Sequence, residues 1–211
     1  MTPAEALAEL VAGNQRFVTG SRVHPNQDAE HRAALADAQR PFAIIFGCSD
    51  SRLAAEIVFD RGLGDLFVVR TAGHITDPSV LASLEYGVTV LNVPLIVVLG
   101  HDRCGAIQAT QATLAGAELP TAQLQTIVDR VAPSLRRAQA QQVTDPAGIT
   151  AVHIRRTMDL IARQCAGTAA AVAAGTCAVV GMSYRLTGGA VTVLAGSSPA
   201  QPGPGVDHLA G

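Results

Sequence analysis

Pro41-Phe42-Ala43-Ile44-Ile45-Phe46-Gly47-Cys48-Ser49-Asp50-Ser51-Arg52 is an unbroken apolar run that stops at glycine and opens into polar side chains. A run this short, with no polar alternation, reads as a strand buried on both faces, the pattern of parallel sheets sandwiched between helices. The pattern returns at Leu66-Phe67-Val68-Val69-Arg70, followed by Thr71-Ala72-Gly73-His74, and at residues 94–100, followed by His101-Asp102-Arg103-Cys104-Gly105. Helical spacing fills the intervals at 54–60, 78–92 and 106–115. Strands alternating with helices predict an α/β fold around a mostly parallel sheet with right-handed crossovers. A fourth strand is expected at 177–185. The turn Thr187-Gly188-Gly189 then sends residues 190–195 back as an antiparallel fifth strand.

The flanks are helical or polar. Thr2, Pro3 and Glu5 spell a capping box with proline at the first helical position, and Leu7, Leu10, Val11 and Phe17 follow at helical spacing. A helix is expected near 28–38. Residues 122–142 read as a helix that Pro133 kinks or splits, and 148–174 as one long helix closed by Gly175. The chain therefore divides into one α/β domain over 1–196, with a helical arm over about 1–38, and a Pro/Gly/Ser-rich tail over 197–211 expected to be disordered.

At 211 residues, with 48% apolar and 15% charged residues, the chain suits one compact domain with surface to spare for another subunit. A formal net charge of −2 leaves no footprint for nucleic acid or an anionic membrane. Lysine is absent, and the arginines are scattered. The amino terminus has no signal-like apolar segment, and no stretch reaches the ~20 residues needed to span a bilayer. Four cysteines do not make a disulfide framework in a chain this long, so a reducing, cytoplasmic setting is expected.

Cys48, His101 and Cys104 supply two thiols and an imidazole at the ends of two strands. These are three good zinc ligands, and a zinc site with three protein ligands leaves a fourth position for water, the arrangement of catalytic sites. Two thiolates weaken the ion as a Lewis acid, so neighbouring groups have to compensate; Asp50, kept ionised by Arg52, is the candidate.

Cys48-Ser49-Asp50-Ser51-Arg52 followed by His101-x-x-Cys104-Gly105 resembles the signature of the β-class carbonic anhydrases, strongly over residues 36–110 and by general pattern elsewhere. The resemblance implies a sheet of order 2-1-3-4-5, in which the first and third strands meet at the switch point where such sheets bind ligands. It implies reversible hydration of carbon dioxide to bicarbonate and a proton by zinc-bound hydroxide. Two arrangements are expected of Asp50: paired with Arg52 in an open site, or bound to zinc as a fourth ligand in a closed one, the latter favoured at low pH. Gln39, Phe67 and Tyr86 match by spacing the substrate pocket of the plant-like subgroup, and Gly105 would offer a backbone N–H. The other subgroup uses a Trp before the first Cys for a regulatory bicarbonate site; Ile45 stands there, and the chain has no Trp. The family also implies a homodimer or homotetramer, with amino-terminal helices reaching across to the partner.

Two other readings stay open on the sequence: a related zinc lyase for another small linear molecule such as carbon disulfide, and a zinc-stabilised binding module without turnover. Asp50 and Arg52 argue against the latter, since a structural zinc needs neither. His74 is a candidate proton shuttle, with an unperturbed pKa near ~6.5. Glu85 reads as an ion-pair partner, Cys165 and Cys177 as buried and inert, and His153 and His208 as surface residues.

Overall fold

The structure is a computed structural model and describes residues 1–197. Strands β1 (Ala43–Cys48), β2 (Leu66–Thr71), β3 (Leu95–His101), β4 (Ala178–Tyr184) and β5 (Val191–Ser197) form a single sheet of order β2-β1-β3-β4-β5. The first four are parallel and β5 is antiparallel to β4, as expected. Apart from Ser197, which closes β5, the expected tail and His208 lie outside the described residues.

Burial explains the unbroken apolar runs. Along β1 and β3, Ile45, Val97 and Leu99 face one way, joining Val180 and Met182 of β4 and, from the flanking elements, Leu10 and Phe59. Ile44, Phe46, Ile96 and Val98 face the other way, against Leu84, Ile154 and Ile161. Side chains alternate across a strand, so a sheet covered on both faces needs an apolar residue at every position. One cover contains α1 (Pro3–Thr19) and α3 (Ala55–Val58); the other contains α4 (Pro78–Thr89) and α7 (Pro146–Gln164).

The capping box forms: Glu5 N–H donates to Thr2 Oγ1 at 3.3 Å, and Thr2 N–H donates to a Glu5 carboxylate oxygen at 2.7 Å. In this chain α1 packs on its own sheet through Ala6 and Leu10. Asn14 fastens it further, donating to the carbonyls of Val58 (3.1 Å) and Gly189 (2.8 Å) and accepting from Val191 N–H (2.9 Å).

Three helical expectations change. The helix expected near 28–38 is reduced to α2 (Ala29–Ala34), capped by Asp28, none of whose own residues is buried. Pro133 does not split α6 (Gln125–Ala140), which runs through it with Val128, Val131, Ala132 and Ala138 buried on both sides. The long helix expected over 148–174 is broken at Cys165 (φ −108°, ψ 88°) into α7 and α8 (Ala166–Ala173). Cys165 is fully buried, and Glu85 of α4 accepts a 2.5 Å hydrogen bond from Gly167 N–H. Glu85 thus caps the start of α8 instead of forming an ion pair.

Candidate metal centre

Three elements bring the expected ligands together. Cys48 is the last residue of β1 and His101 the last of β3, and these strands are neighbours in register. After His101 the chain turns through Arg103 (φ +53°), and Cys104 becomes the N-cap of α5 (Gly105–Leu114). Asp102 fixes this turn: its N–H donates to the Tyr184 carbonyl at 3.1 Å, and its carboxylate accepts from Leu186 N–H at 2.7 Å. The two sulfurs and the imidazole nitrogen lie within 4.8 Å of one another, and all three residues are buried.

The donor set fits zinc. The sulfurs of Cys48 and Cys104 are 4.0 Å apart. Two sulfurs bound at ~2.3 Å to a tetrahedral centre stand ~3.8 Å apart. His101 Nδ1 donates to the Asp102 carbonyl at 2.7 Å, which leaves the lone pair on Nε2; that atom is buried without a hydrogen-bond partner. A buried nitrogen left unpaired is costly unless a ligand satisfies it. The two thiols face each other. Their mutual hydrogen bond holds Cys48 well below the usual thiol range and pushes Cys104 well above it, so a cation is needed to free both sulfurs.

Asp50 stands at the rim, 3.8 Å from His101 Nε2, and is not one of the three converging ligands. Arg52 holds it at two points: Nε donates to Oδ1 at 2.9 Å and Nη2 to Oδ2 at 2.6 Å. These hydrogen bonds keep the carboxyl well below the ordinary carboxylate range. This is the open arrangement of the two expected. Arg70 completes the frame, donating to the carbonyls of Cys48 (2.9 Å) and Asp50 (2.6 Å), and so fixes the backbone that carries both. Its role is missing from the sequence reading, where it only marked the end of a strand.

Behind Cys48 is a second layer. Gly73, at φ +68°, donates its N–H to Cys48 Sγ at 3.3 Å. Its carbonyl accepts from His153 Nε2 at 2.8 Å, and His153 Nδ1 accepts from the Ser134 hydroxyl at 2.7 Å, so the tautomer is set. His153 is therefore no surface residue: it is 2% exposed, on the inward face of α7 with Ile149 and Thr157. The His74 ring lies 4.4 Å from it, tilted by 41°; His74 is 1% exposed and has no hydrogen bond on either ring nitrogen. Burial above all holds His74 neutral, well below the usual imidazole pKa, and protonating it beside the His153 and His101 rings would be further disfavoured. Sealed from solvent, it is not a proton shuttle. Burial raises the free thiols Cys165 and Cys177 to about 11, which keeps them inert as expected.

Gly105 opens α5 beside Cys104. The other three expected pocket residues lie elsewhere in the chain. Phe67 pairs with Ile44 near the amino end of β1, and its ring is 6.3 Å from that of Tyr86 on α4. Gln39 and Tyr86 share an open, exposed hollow with Leu35 and Leu91. Ile44 and Cys48 are four residues apart along a strand, roughly 13 Å at ~3.3 Å per residue. Within one chain, then, the sheet separates Gln39, Phe67 and Tyr86 from the three ligands.

Comparison with known proteins agrees with this geometry. The family model described as carbonic anhydrase matches residues 43–191. A carbonic anhydrase of Mycolicibacterium smegmatis is 50% identical over 189 residues, spanning 90% of this chain and 92% of that protein. Carbonic anhydrase 2 of Mycobacterium tuberculosis is 48% identical over 187 residues, spanning 89% and 90%. Among solved structures, a Coccomyxa β-carbonic anhydrase in complex with acetazolamide aligns with TM-score 0.69 at 23% identity, over 89% of this chain and 86% of that one. A tetrameric β-carbonic anhydrase of Sordaria macrospora aligns with TM-score 0.69 at 22% identity, over 92% and 100%. With ligands, sheet order and relatives in agreement, the chain belongs to the β-class carbonic anhydrase family.

Proposed function

We propose that this chain converts carbon dioxide reversibly to bicarbonate and a proton at a zinc ion held by Cys48, His101 and Cys104. The observation that carries the reading is the unpartnered, correctly tautomerised His101 Nε2 beside two sulfurs 4.0 Å apart, with an Arg52-bound Asp50 at the rim. Zinc, when bound, supplies the Lewis acidity that makes water a nucleophile near neutral pH, an effect for which carbonic anhydrase is itself the reference example.

The chain's own residues do the orienting. Asp50 stays ionised and is an acceptor only, so it takes a hydrogen bond from the attacking water and turns that oxygen's lone pair toward carbon dioxide. The new C–O bond forms as one C=O pair moves onto its oxygen, and the proton leaves to solvent; Asp50 is too acidic to keep it. Arg52 and Arg70 prevent Asp50 from rotating away. Gly105, at the first position of α5, has an N–H outside the helical ladder that can donate to a product oxygen.

In this reading Gln39, Phe67 and Tyr86 serve the metal centre of a second copy, so the working unit is a homodimer or a tetramer built from it. The exposed hollow that Gln39 and Tyr86 line, with Phe67 beside Tyr86 and remote from its own chain's ligands, supports the assignment. Free cysteines support a cytoplasmic setting, and no described helix is long and apolar enough to cross a membrane. Stopped-flow carbon dioxide hydration alongside zinc analysis tests the function. Asp50→Asn is expected to keep its zinc and lose about 10²-fold in rate or more. Zinc-loaded wild type without hydration activity, or an unaffected D50N, contradicts the proposal.

A further inference from the structure

Beyond the metal centre, on the far side of His153, lies a separate cavity of about 90 Å³. That is roughly three times the ~30 Å³ a water molecule occupies in the liquid. Buried Thr76, His153 and Thr157 line it, and Asp129, Arg130 and Arg156 are its charged lining residues. The imidazole is occupied by Ser134 and Gly73, but the hydroxyls of Thr76 (6% exposed) and Thr157 (1% exposed) make no hydrogen bond among the described residues.

The charge is unbalanced. Arg130 and Arg156 make no ion pair or hydrogen bond among the described residues. Arg137 and Arg163 stand near Arg156, and both already share the single carboxylate of Asp159. Asp129 is engaged by Gln125 at 2.7 Å. Burial and then the neighbouring guanidiniums of Arg137, Arg163 and Arg130 disfavour the charge on Arg156, and the Asp159 carboxylate opposes them only in part. Two guanidiniums and two idle hydroxyls around a space of this size, against one carboxylate, match a small planar or tetrahedral oxyanion, which guanidinium binds at two points.

We propose that this cavity is a binding site for a small inorganic oxyanion, held by Arg130, Arg156 and the hydroxyls of Thr76 and Thr157. The ion is either inorganic phosphate from solution or bicarbonate; the bicarbonate source rests on the hydration reading above, and the phosphate source does not. None of Cys48, His101 and Cys104 lines the cavity; His153 lines it and donates to the Gly73 carbonyl, and Gly73 N–H reaches Cys48.

Titration calorimetry of the zinc-loaded full chain tests this, with sodium phosphate and sodium bicarbonate as separate titrants and ionic strength held by chloride. Wild type is expected to show saturable binding of at least one titrant, weakened about tenfold or more in Arg156→Gln and in Arg130→Gln. Arg130 is exposed, so R130Q removes a donor without disturbing the core. Both variants keep wild-type initial hydration rates, read before bicarbonate accumulates, which separates a failed site from a failed fold. A variant-sensitive component for phosphate alone assigns the solution ion, and one for bicarbonate assigns the product. Identical isotherms in wild type and both variants place the binding at the metal and overturn the proposal. So does binding that chloride matches at equal concentration, which identifies an adventitious ion only.

Discussion

Replacing His153 by Gln should flatten the acid sensitivity of this fold. Burial holds the His153 imidazole down at about 4 in the native chain, whereas an unfolded histidine titrates near ~6.5. Between those values the unfolded chain binds a proton that the native chain refuses, so stability rises with pH across the window. His153 costs nothing above ~6.5, and its penalty grows as pH falls until the native ring itself protonates near 4. At ~1.36 kcal/mol per pH unit, wild type loses about 2 kcal/mol through this one group between pH 7 and 5, and about 3 kcal/mol by pH 4. For a chain this size that is roughly 4–8 °C in Tm at pH 5. H153Q loses the bond network of Ser134 and Gly73 at every pH, so its absolute stability falls; the reading is the difference between pH 7 and pH 5. Urea unfolding at both pH values gives it directly, and the metal ligands, unchanged in both proteins, cancel in the comparison. An equal pH 7 to pH 5 loss in wild type and H153Q refutes the assignment of a buried, neutral His153.

Other substitutions probe the frame and the assembly. Arg70→Gln frees the carbonyls of Cys48 and Asp50, and is expected to lower the hydration rate while zinc content stays at wild type, as metal analysis with stopped flow will show. Glu85→Ala removes the cap on Gly167 and should cost about 1 kcal/mol in urea unfolding, the usual loss for a helix cap. Asn14→Ala leaves two buried carbonyls and an N–H unpaired and should cost about 2–4 kcal/mol by the same assay. Mixing D50N with Gln39→Ala after dissociation and reassembly should restore about a quarter of the wild-type rate, since in a two-fold dimer half of the assemblies are mixed and each has one intact site. No recovery on mixing contradicts the shared site.

Strands β1 and β3 were readable because burial on both faces demands consecutive apolar residues, and both runs end at glycine just before the ligands. Cys48, His101 and Cys104 were readable because zinc chemistry restricts the donor types. What could not be read depends on contacts between distant residues. Nothing local breaks the helix at Cys165; the break is held by Glu85, which caps Gly167 from 82 residues earlier. His153 has no companion nearby in sequence, and its partners Ser134 and Gly73 sit on other elements. The four-residue spacing of Ile149, His153 and Thr157 was the available signal that it faces inward. The frame built by Arg70 left no trace beyond an arginine at a strand end. The spacing that picked out Gln39, Phe67 and Tyr86 cannot tell a residue that serves its own chain's site from one that serves a neighbour's.

X-ray absorption at the zinc edge of the purified, zinc-loaded chain tests the metal centre most directly. Two sulfur scatterers at ~2.3 Å with one imidazole nitrogen at ~2.0–2.1 Å, reduced to a single sulfur in Cys104→Ser, are predicted. A shell of nitrogen and oxygen alone, or a wild-type spectrum unchanged by C104S, would contradict convergence of Cys48, His101 and Cys104 on one ion.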